Sequence, residues 1–196
     1  FHPQEKNVGK KIKLLYVGSL DKRRNIGFLI DALKNFPRDL YELSIVGDGN
    51  GKERIRKIVN KNSLQRNIFL LGHFKPIAIP KVIQKSDICI TYYPRKEYNT
   101  QIPFKTLEYM ACKKPVISIN TEENKYYFDK KCIFFNGTKE DFINKLNLLL
   151  ENPRERKLIA EKGYEFVKRS FNWSKVIEQY RKSTRKQLKN SKERED

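Results

Sequence analysis

The chain has 196 residues, of which 38% are hydrophobic and 33% are charged. This length suits one domain with a full core, and no apolar run approaches the ~18 residues that a membrane span needs. The 42 Lys and Arg residues outnumber the 23 Asp and Glu residues by 19. Such a charge predicts attraction to anions, which include phosphorylated ligands, acidic lipid surfaces and nucleic acid. Because the chain begins at Phe1, without a methionine or a secretory segment, we expect it to be part of a longer protein.

Strand and helix patterns alternate along the first two thirds of the chain. Short apolar runs predict strands at 13–18, 43–47, 67–72, 88–92, 116–119 and 132–135. Helical patterns lie between them, with Asn25 as the expected cap of a helix whose apolar stripe is Ile26, Leu29, Ile30 and Leu33. A charged helix at 52–60 and a short helical turn at 81–85 follow. Short strands separated by helices imply right-handed crossovers, so we predict an α/β fold with a Rossmann-like, doubly wound parallel sheet.

The last third of the chain is predicted to be helical. Thr138, followed three residues later by Asp141, resembles a capping box at the start of a helix that runs to Glu151. Pro153 opens a second helix, and Trp173 begins a last one that becomes basic toward Asp196. The fold class therefore includes extra helices at the C-terminal end.

The cysteines and histidines do not indicate a metal site. Cys89, Cys112 and Cys132 are far apart, without a C-x-x-C spacing, and lie in apolar contexts. We expect them to be buried free thiols in a reducing cytoplasm, not zinc ligands or disulfides. His2 and His73 are too isolated to complete a site with them.

The most informative segment is 102–118, which reads as a short helix leading directly into a buried strand. Lys105 and Glu108 are three residues apart, so they project from the same face of that helix. At the mouth of a parallel sheet, a cation beside a carboxylate suits a ligand with both an anionic part and hydroxyl groups. A nucleotide-sugar fits this description.

Other candidate ligand contacts lie where the predicted strands end. Gly18, Ser19, Gly47 and Gly72 are small residues that allow a ligand to approach the backbone. The loop from Ser19 also contains three cations, which suit a diphosphate. The first strand is not followed by G-x-G-x-x-G, and no G-x-x-x-x-G-K-[ST] loop is present. These absences argue against a redox dinucleotide and against P-loop nucleotide hydrolysis.

Several ordered segments resemble the group 1 retaining glycosyltransferases of the two-domain GT-B type. The segment 16–25, YVGSLDKRRN, is similar to that family's V-G-R-L-x-x-x-K-G/N pattern, and 43–49, LSIVGDG, to its L-x-I-V-G-D-G strand. The segments NIFLLG at 67–72 and SDI at 86–88 match its next landmarks. The segment 107–117, LEYMACKKPVI, is close to L-E-A-M-A-C-G-K-P-V-I. The resemblance covers essentially the whole chain, in order.

The resemblance implies a domain organisation. Residues 1–10 correspond to the end of an interdomain linker, and 11–172 to the domain that binds the nucleotide-sugar donor. Residues 173–196 form a basic C-terminal helix or tail. The acceptor-binding half would then lie outside this chain, and so would the residues that receive the acceptor. No catalytic residue is therefore assigned.

The resemblance also implies roles for single residues. Glu108 stands at the motif glutamate that binds the donor ribose, and Arg24 at the position of a lysine that binds the diphosphate. Two positions depart from the pattern, since Ser19 replaces an arginine and Thr100 replaces the other motif glutamate. One hypothesis is that Glu97 takes the role of the missing glutamate. In another, Lys105 replaces the missing positive charge.

The implied activity is transfer of a sugar, of the hexosyl type, from a nucleotide-sugar to an acceptor glycan or lipid with retention of anomeric configuration. A donor of the UDP or GDP type is expected, without a metal or other cofactor. The enzyme would be cytoplasmic, and its positive charge also suits peripheral contact with the anionic inner face of a membrane. The isolated chain is expected to bind donor but to turn over poorly.

Two other interpretations remain open at this stage. Ser19 and Thr100 also suit a non-catalytic glycosyltransferase-like domain with a role in assembly or regulation. The net charge suits a nucleic-acid-binding module, although the chain has no recognisable DNA- or RNA-reading motif. Nucleotide-sugar binding would contradict the first alternative, and weak salt dependence of polynucleotide binding would contradict the second.

Overall fold

The computed structural model describes residues 11–93 and 104–171. Its strands form one fully parallel sheet with the spatial order β3-β2-β1-β4-β5-β6. Their bounds are β1 Ile12–Val17, β2 Tyr41–Val46, β3 Ile68–Gly72, β4 Ile88–Thr91, β5 Val116–Ile119 and β6 Ile133–Phe135. The helices between them are α1 Gly27–Leu33, α2 Lys52–Lys61, α3 Ile79–Gln84, α4 Phe104–Ala111 and α5 Glu122–Phe128. They are followed by α6 Lys139–Glu151 and α7 Pro153–Ser170.

The alternation of side chains along each strand creates two cores, one on each face of the sheet. In β1, Leu14 and Tyr16 pack against α1, α2 and α6, whereas Leu15 and Val17 pack against α3, α4, α5 and α7. Because both faces are covered, the central strands are apolar on both sides, as a doubly wound parallel sheet requires. The predicted fold class is therefore confirmed.

The direction in which successive strands are added to the sheet reverses between β1 and β4. From β1 the chain proceeds outward to β2 and β3, and it then returns to form β4 on the other side of β1. At this switch point the loops that follow β1 and β4 lead to opposite sides and leave a crevice at the carboxyl edge of the sheet. The fold thus places a cleft at the carboxyl ends of β1 and β2, beside the loop that follows β3.

The C-terminal helix α7 lies directly against α4. A Cβ atom added to Gly163 would come within 2.8 Å of Cγ of Met110, so only a glycine allows this close approach. Phe166 and Val167 extend the contact into the same core. The helix that bears Lys105 and Glu108 is therefore supported from behind by α7. Among the described helices, none is both long and apolar enough to cross a bilayer.

Two details differ from the sequence predictions. Asn25 does not cap α1; it has φ 45° and ends a 3-10 turn over Lys22–Arg24, and its side chain bonds to Tyr92. Helix α5 was not predicted, although Thr121 caps it by accepting a hydrogen bond from the amide of Asn124. The Thr138 cap is confirmed, since its hydroxyl accepts a hydrogen bond from the Asp141 amide at 3.2 Å. The other elements predicted within residues 11–93 and 104–171 appear with shifts of one or two residues at their ends.

Candidate functional site

Backbone hydrogen bonds join the loops that follow β1 and β2. The Gly18 amide donates to the carbonyl of Val46 at 3.0 Å, and the Leu20 amide to the carbonyl of Asp48 at 2.9 Å. In return, the Gly51 amide donates to the carbonyl of Leu20 at 2.8 Å. The two loops therefore form one rigid unit at the carboxyl edge of the sheet.

Gly47 makes this close packing possible. Its φ is 146°, a region that L side chains rarely adopt, and a Cβ atom here would collide with the carbonyl oxygen of Gly18. Its amide donates to the carbonyl of Gly72 at 2.8 Å, which connects the end of β3 to the same unit. The glycine positions singled out in the sequence thus contribute close backbone contacts at the ends of three neighbouring strands.

Lys105 and Glu108 form a close ion pair on α4. The Nζ atom of Lys105 lies 2.8 Å from Oε1 and 2.7 Å from Oε2 of Glu108. Both side chains are partly open to solvent, with 38% and 41% of their surface exposed. The opposite face of the helix is anchored by buried residues, among them Leu107 and Tyr109. The prediction that both groups project from one helix face is confirmed.

These elements enclose a cleft of about 510 Å³. Gly18, Ser19, Gly47, Lys105 and Glu108 all line it. The side near α3 is apolar, and we call it the apolar wall; it consists of Phe74, Pro76, Ile79, Pro80 and Ile83. The cleft thus offers a hydrophobic surface, a carboxylate, a cation and close-packed glycine backbone, which are the features of a small-molecule site.

Arg24 lies near the tyrosines at the ends of β1 and β4. Burial raises the pKa of the Tyr16 hydroxyl, and the positive charge of Arg24 partly opposes that rise. Burial likewise raises the pKa of Tyr93 to about 12, and Arg24 again acts in the opposite direction. The positive charge of Arg24 therefore lies near the switch point, although Arg24 is not among the residues that line the cleft.

The carboxylate at the rim of the β2 loop is held as an anion. The hydrogen bond from Lys52, at 2.9 Å, and the bond from the Gly49 amide lower the pKa of Asp48, and His73 acts in the same direction. Since Asp48 and His73 both line the cleft, the rim near the apolar wall is polar. Within residues 11–93 and 104–171, no three His, Cys, Asp or Glu side chains gather into a group that could hold a metal ion.

The structure brings together most of the predicted site residues that it describes. Gly72 contributes its carbonyl to the loop unit but does not line the cleft, and Arg24 does not line it either. Thr100 and Glu97 lie outside the described residues, as do the predicted linker 1–10 and the terminal helix 173–196. The ligand-binding roles of all these residues stay predictions.

Sequence reasoning missed the apolar wall and the role of Tyr109. The segment 74–83, FKPIAIPKVI, is rich in isoleucine and proline, which could have indicated an apolar surface next to a strand end. The hydroxyl of Tyr109 accepts a hydrogen bond from the Val17 amide at 2.8 Å, a contact between residues 92 positions apart. No local pattern could have indicated that pairing.

Fold and cleft together define an α/β domain with a cleft at the carboxyl edge of a parallel sheet. The chain belongs to a specific family of such proteins. The family model described as glycosyl transferases group 1 matches residues 1–166, so the chain is a group 1 glycosyltransferase domain.

Individual relatives agree with this assignment. An uncharacterized glycosyltransferase of Methanocaldococcus jannaschii is 28% identical over 178 residues, which cover 88% of this chain and 44% of that protein. The solved structure of HepE from Anabaena in complex with UDP has a TM-score of 0.81 at 16% identity, covering 90% of this chain and 49% of that one. Sucrose-phosphate synthase from Thermosynechococcus elongatus has a TM-score of 0.78 at 20% identity, with 92% and 46% covered. The chain thus spans about half the length of these proteins, and the structural likeness shows the shared fold.

Proposed function

We propose that this chain binds the donor of a retaining glycosyltransferase, a nucleoside diphosphate sugar. The observation that carries the proposal is the Lys105–Glu108 pair, which stands at a cleft with an apolar wall on one side and the glycine loops on the other. A donor has the matching order of parts, which are an apolar base, a ribose with hydroxyl groups and a diphosphate with negative charge.

Each part of the cleft has a chemical role in this proposal. The apolar wall receives the base, and the carboxylate of Glu108 accepts hydrogen bonds from the ribose hydroxyls. The ammonium of Lys105 lies within 3 Å of that carboxylate, so it is close enough to reach a phosphate attached to the same ribose. Arg24 adds charge at the switch point. Fixed positive groups that face a departing diphosphate stabilise the negative charge that develops in the transition state.

UDP is the first nucleotide to test. HepE, which shares the fold, has been solved in complex with UDP and with UDP-glucose. Retention and a hexosyl donor enter the proposal through the family resemblance. The acceptor, a glycan or lipid, would be received by polypeptide beyond this chain, because the chain spans only about half of its relatives. We therefore expect the chain alone to bind donor with little turnover.

Calorimetric titration of the chain with UDP, GDP and ADP tests the proposal. We expect micromolar binding of one nucleotide, and loss of that binding in Glu108→Ala. Glu161→Ala is a matched control, because Glu161 also pairs with a lysine and is 43% exposed, compared with 41% for Glu108, but it lies on α7 outside the cleft. Absence of binding by all three nucleotides, or equal effects of the two variants, would contradict the proposal and favour the non-catalytic alternative.

The proposed chemistry uses the chain's own cations and no resident metal. Lys105 and Arg24 supply positive charge for the diphosphate, so nucleotide affinity should be the same in EDTA and in Mg²⁺. A large gain in affinity with Mg²⁺ would mean that the two side chains are insufficient and that the donor binds as a metal complex.

Peripheral attachment of a cytoplasmic enzyme to an anionic membrane is part of the same proposal. It is supported by the net charge of +19, since each basic residue near an anionic surface contributes ~1 kcal/mol. We expect the chain to float with vesicles that contain anionic lipid and not with neutral vesicles. Equal flotation with both kinds of vesicle, or with neither, would contradict it.

A further inference from the structure

Tyr109 is a fully buried residue that immediately follows Glu108 on α4. Its hydroxyl oxygen accepts a hydrogen bond from the Val17 amide at 2.8 Å. Val17 is the last residue of β1 and itself lines the cleft beside Gly18 and Ser19. One side-chain hydrogen bond therefore runs between the helix that bears the candidate ribose-binding carboxylate and the strand that ends in the glycine loop.

The sheet shows on which side of β1 this bond lies. Successive amides of a strand point to opposite neighbours. Since the Gly18 amide donates to β2, the Val17 amide points toward β4. The pairing of β1 with β4 ends at Tyr16 opposite Ile90. The Tyr109 hydroxyl therefore accepts from an amide at the end of this pairing, where β1 gives way to the glycine loop.

We propose that Tyr109 is a positioning residue that sets the separation between Glu108 and the loop at Gly18 and Ser19. This inference rests on the proposed function, because the two parts must bind one donor together. Among the described residues, the bond from Val17 to Tyr109 is the hydrogen bond that joins α4 to β1. On its other side the loop is fixed to β2 by several backbone bonds. Tyr109 therefore adds an attachment from α4 to a loop that is also fixed to β2.

The bond is independent of pH over the working range of an enzyme. Burial raises the pKa of the Tyr109 hydroxyl well above its usual value, so the hydroxyl stays neutral. Tyr109 is also a departure from the motif that this segment resembles, because L-E-A-M-A-C has alanine at this position.

The substitution Tyr109→Phe removes the hydroxyl and keeps the ring. A matched control is Tyr41→Phe, because Tyr41 is also fully buried, and its hydroxyl donates to the carbonyl of Leu33 at 3.1 Å, far from the cleft. Each variant loses one buried hydrogen bond to the backbone, so we expect similar losses of stability in both. A merely structural role for Tyr109 would make the two variants alike in every measurement.

Two measurements separate positioning from stability. The first is amide hydrogen exchange by NMR without ligand. In Tyr109→Phe we expect exchange at Val17, Gly18 and Ser19 at least about tenfold faster than in Tyr41→Phe at matched stability. The second is affinity for UDP compared with uridine. In the proposed site uridine contacts the apolar wall and Glu108, whereas UDP must also reach the loop. Tyr109→Phe should therefore lower the affinity for UDP about tenfold and the affinity for uridine less than about twofold.

The outcomes distinguish this inference from the proposed function. Unchanged exchange at 17–19 would overturn the positioning role, whether or not a nucleotide binds. An equal loss of affinity for UDP and for uridine would also overturn the positioning role, since it would show that the whole site is disturbed. A wild-type chain that binds no nucleotide would overturn the proposed function, while the exchange measurement would still decide whether Tyr109 holds the loop.

Discussion

The two faces of the sheet differ in their relation to the cleft. On the face covered by α1, α2 and α6, large apolar side chains meet in a continuous core, with Phe28 stacked on Tyr92 at 4.6 Å and Phe135 against Phe142 at 5.3 Å between ring centroids. Both faces also contain a buried side-chain hydrogen bond, from the Tyr41 hydroxyl to the Leu33 carbonyl on the first face and from the Val17 amide to Tyr109 on the second. The second face, covered by α3, α4 and α7, borders the cleft, since Ile79 and Ile83 belong to both its core and the apolar wall.

The two faces therefore differ in what their side chains contribute. The aromatic face mainly provides stability, because its core residues are not among those that line the cleft. The cleft face contributes to both stability and the cleft, since Val17, Ile79 and Ile83 belong to its core and also line the cleft. Substitutions on the first face should therefore change the free energy of unfolding, and substitutions on the second should change affinity.

The largest expected effect tests the aromatic face. Phe142→Ala removes a fully buried ring from the cluster and should lower the free energy of unfolding by about 3–5 kcal/mol. Urea unfolding measures the loss, and titration of the folded variant should show wild-type nucleotide affinity. Tyr126→Ala, at a residue that is 82% exposed, should leave stability nearly unchanged. Weakened nucleotide binding by the folded Phe142→Ala variant would contradict the idea that the aromatic face affects stability and not affinity.

Gly47→Ala tests the loop unit at the carboxyl edge. An alanine here must adopt a φ near 146°, which costs about 1–3 kcal/mol, and it also collides with the Gly18 carbonyl. We expect lower stability together with loss of nucleotide affinity, by calorimetry. Gly137→Ala, at φ 94° with its nearest neighbour 3.4 Å away, incurs backbone strain without such a collision. If the two variants bound nucleotide equally well, close packing of the loops would not matter for the site.

Lys105→Met tests the ion pair on the cleft face. The pair is more than a third exposed on both sides, so its loss should change stability by less than about 0.5 kcal/mol. Affinity for UDP should fall about tenfold, while affinity for uridine should stay the same, because only UDP carries phosphates. Lys113→Met, which removes the partner of Glu161 outside the cleft, should affect neither. Equal loss of UDP and uridine affinity would mean that Lys105 acts only by orienting Glu108.

The smallest expected effect concerns the thiols. Cys112 is half-buried and lines the cleft, whereas Cys89 and Cys132 are buried. Burial raises the pKa of Cys89 to about 12 and also raises the pKa of Cys112. A raised pKa lowers the thiolate fraction at pH 8, so alkylation should reach only Cys112, proceed more slowly than for free cysteine and accelerate as pH rises. Intact-mass analysis should show one modification, absent in Cys112→Ser and slowed severalfold by UDP.

The strands and the Lys105–Glu108 pair could be predicted because they depend on local pattern. Val116–Ile119, for example, has three β-branched apolar residues in four positions, and the pair depends only on helical spacing. Asn25 was misassigned because its side chain serves a distant partner, Tyr92, and not its own helix. The apolar wall and the Tyr109 bond depend on how distant segments meet, which no single stretch of sequence encodes.

The contact between Gly163 and Met110 has a consequence for the order in which the site is assembled. α4 is synthesised well before α7, yet one side of α4 is covered only when α7 packs against it. During translation, residues 104–111 therefore lack their contact with α7 until about sixty further residues have been added. This takes roughly three to twelve seconds at ordinary elongation rates. A nascent chain that stops short of 153 would form most of the sheet but would hold Glu108 on a helix that lacks half of its packing.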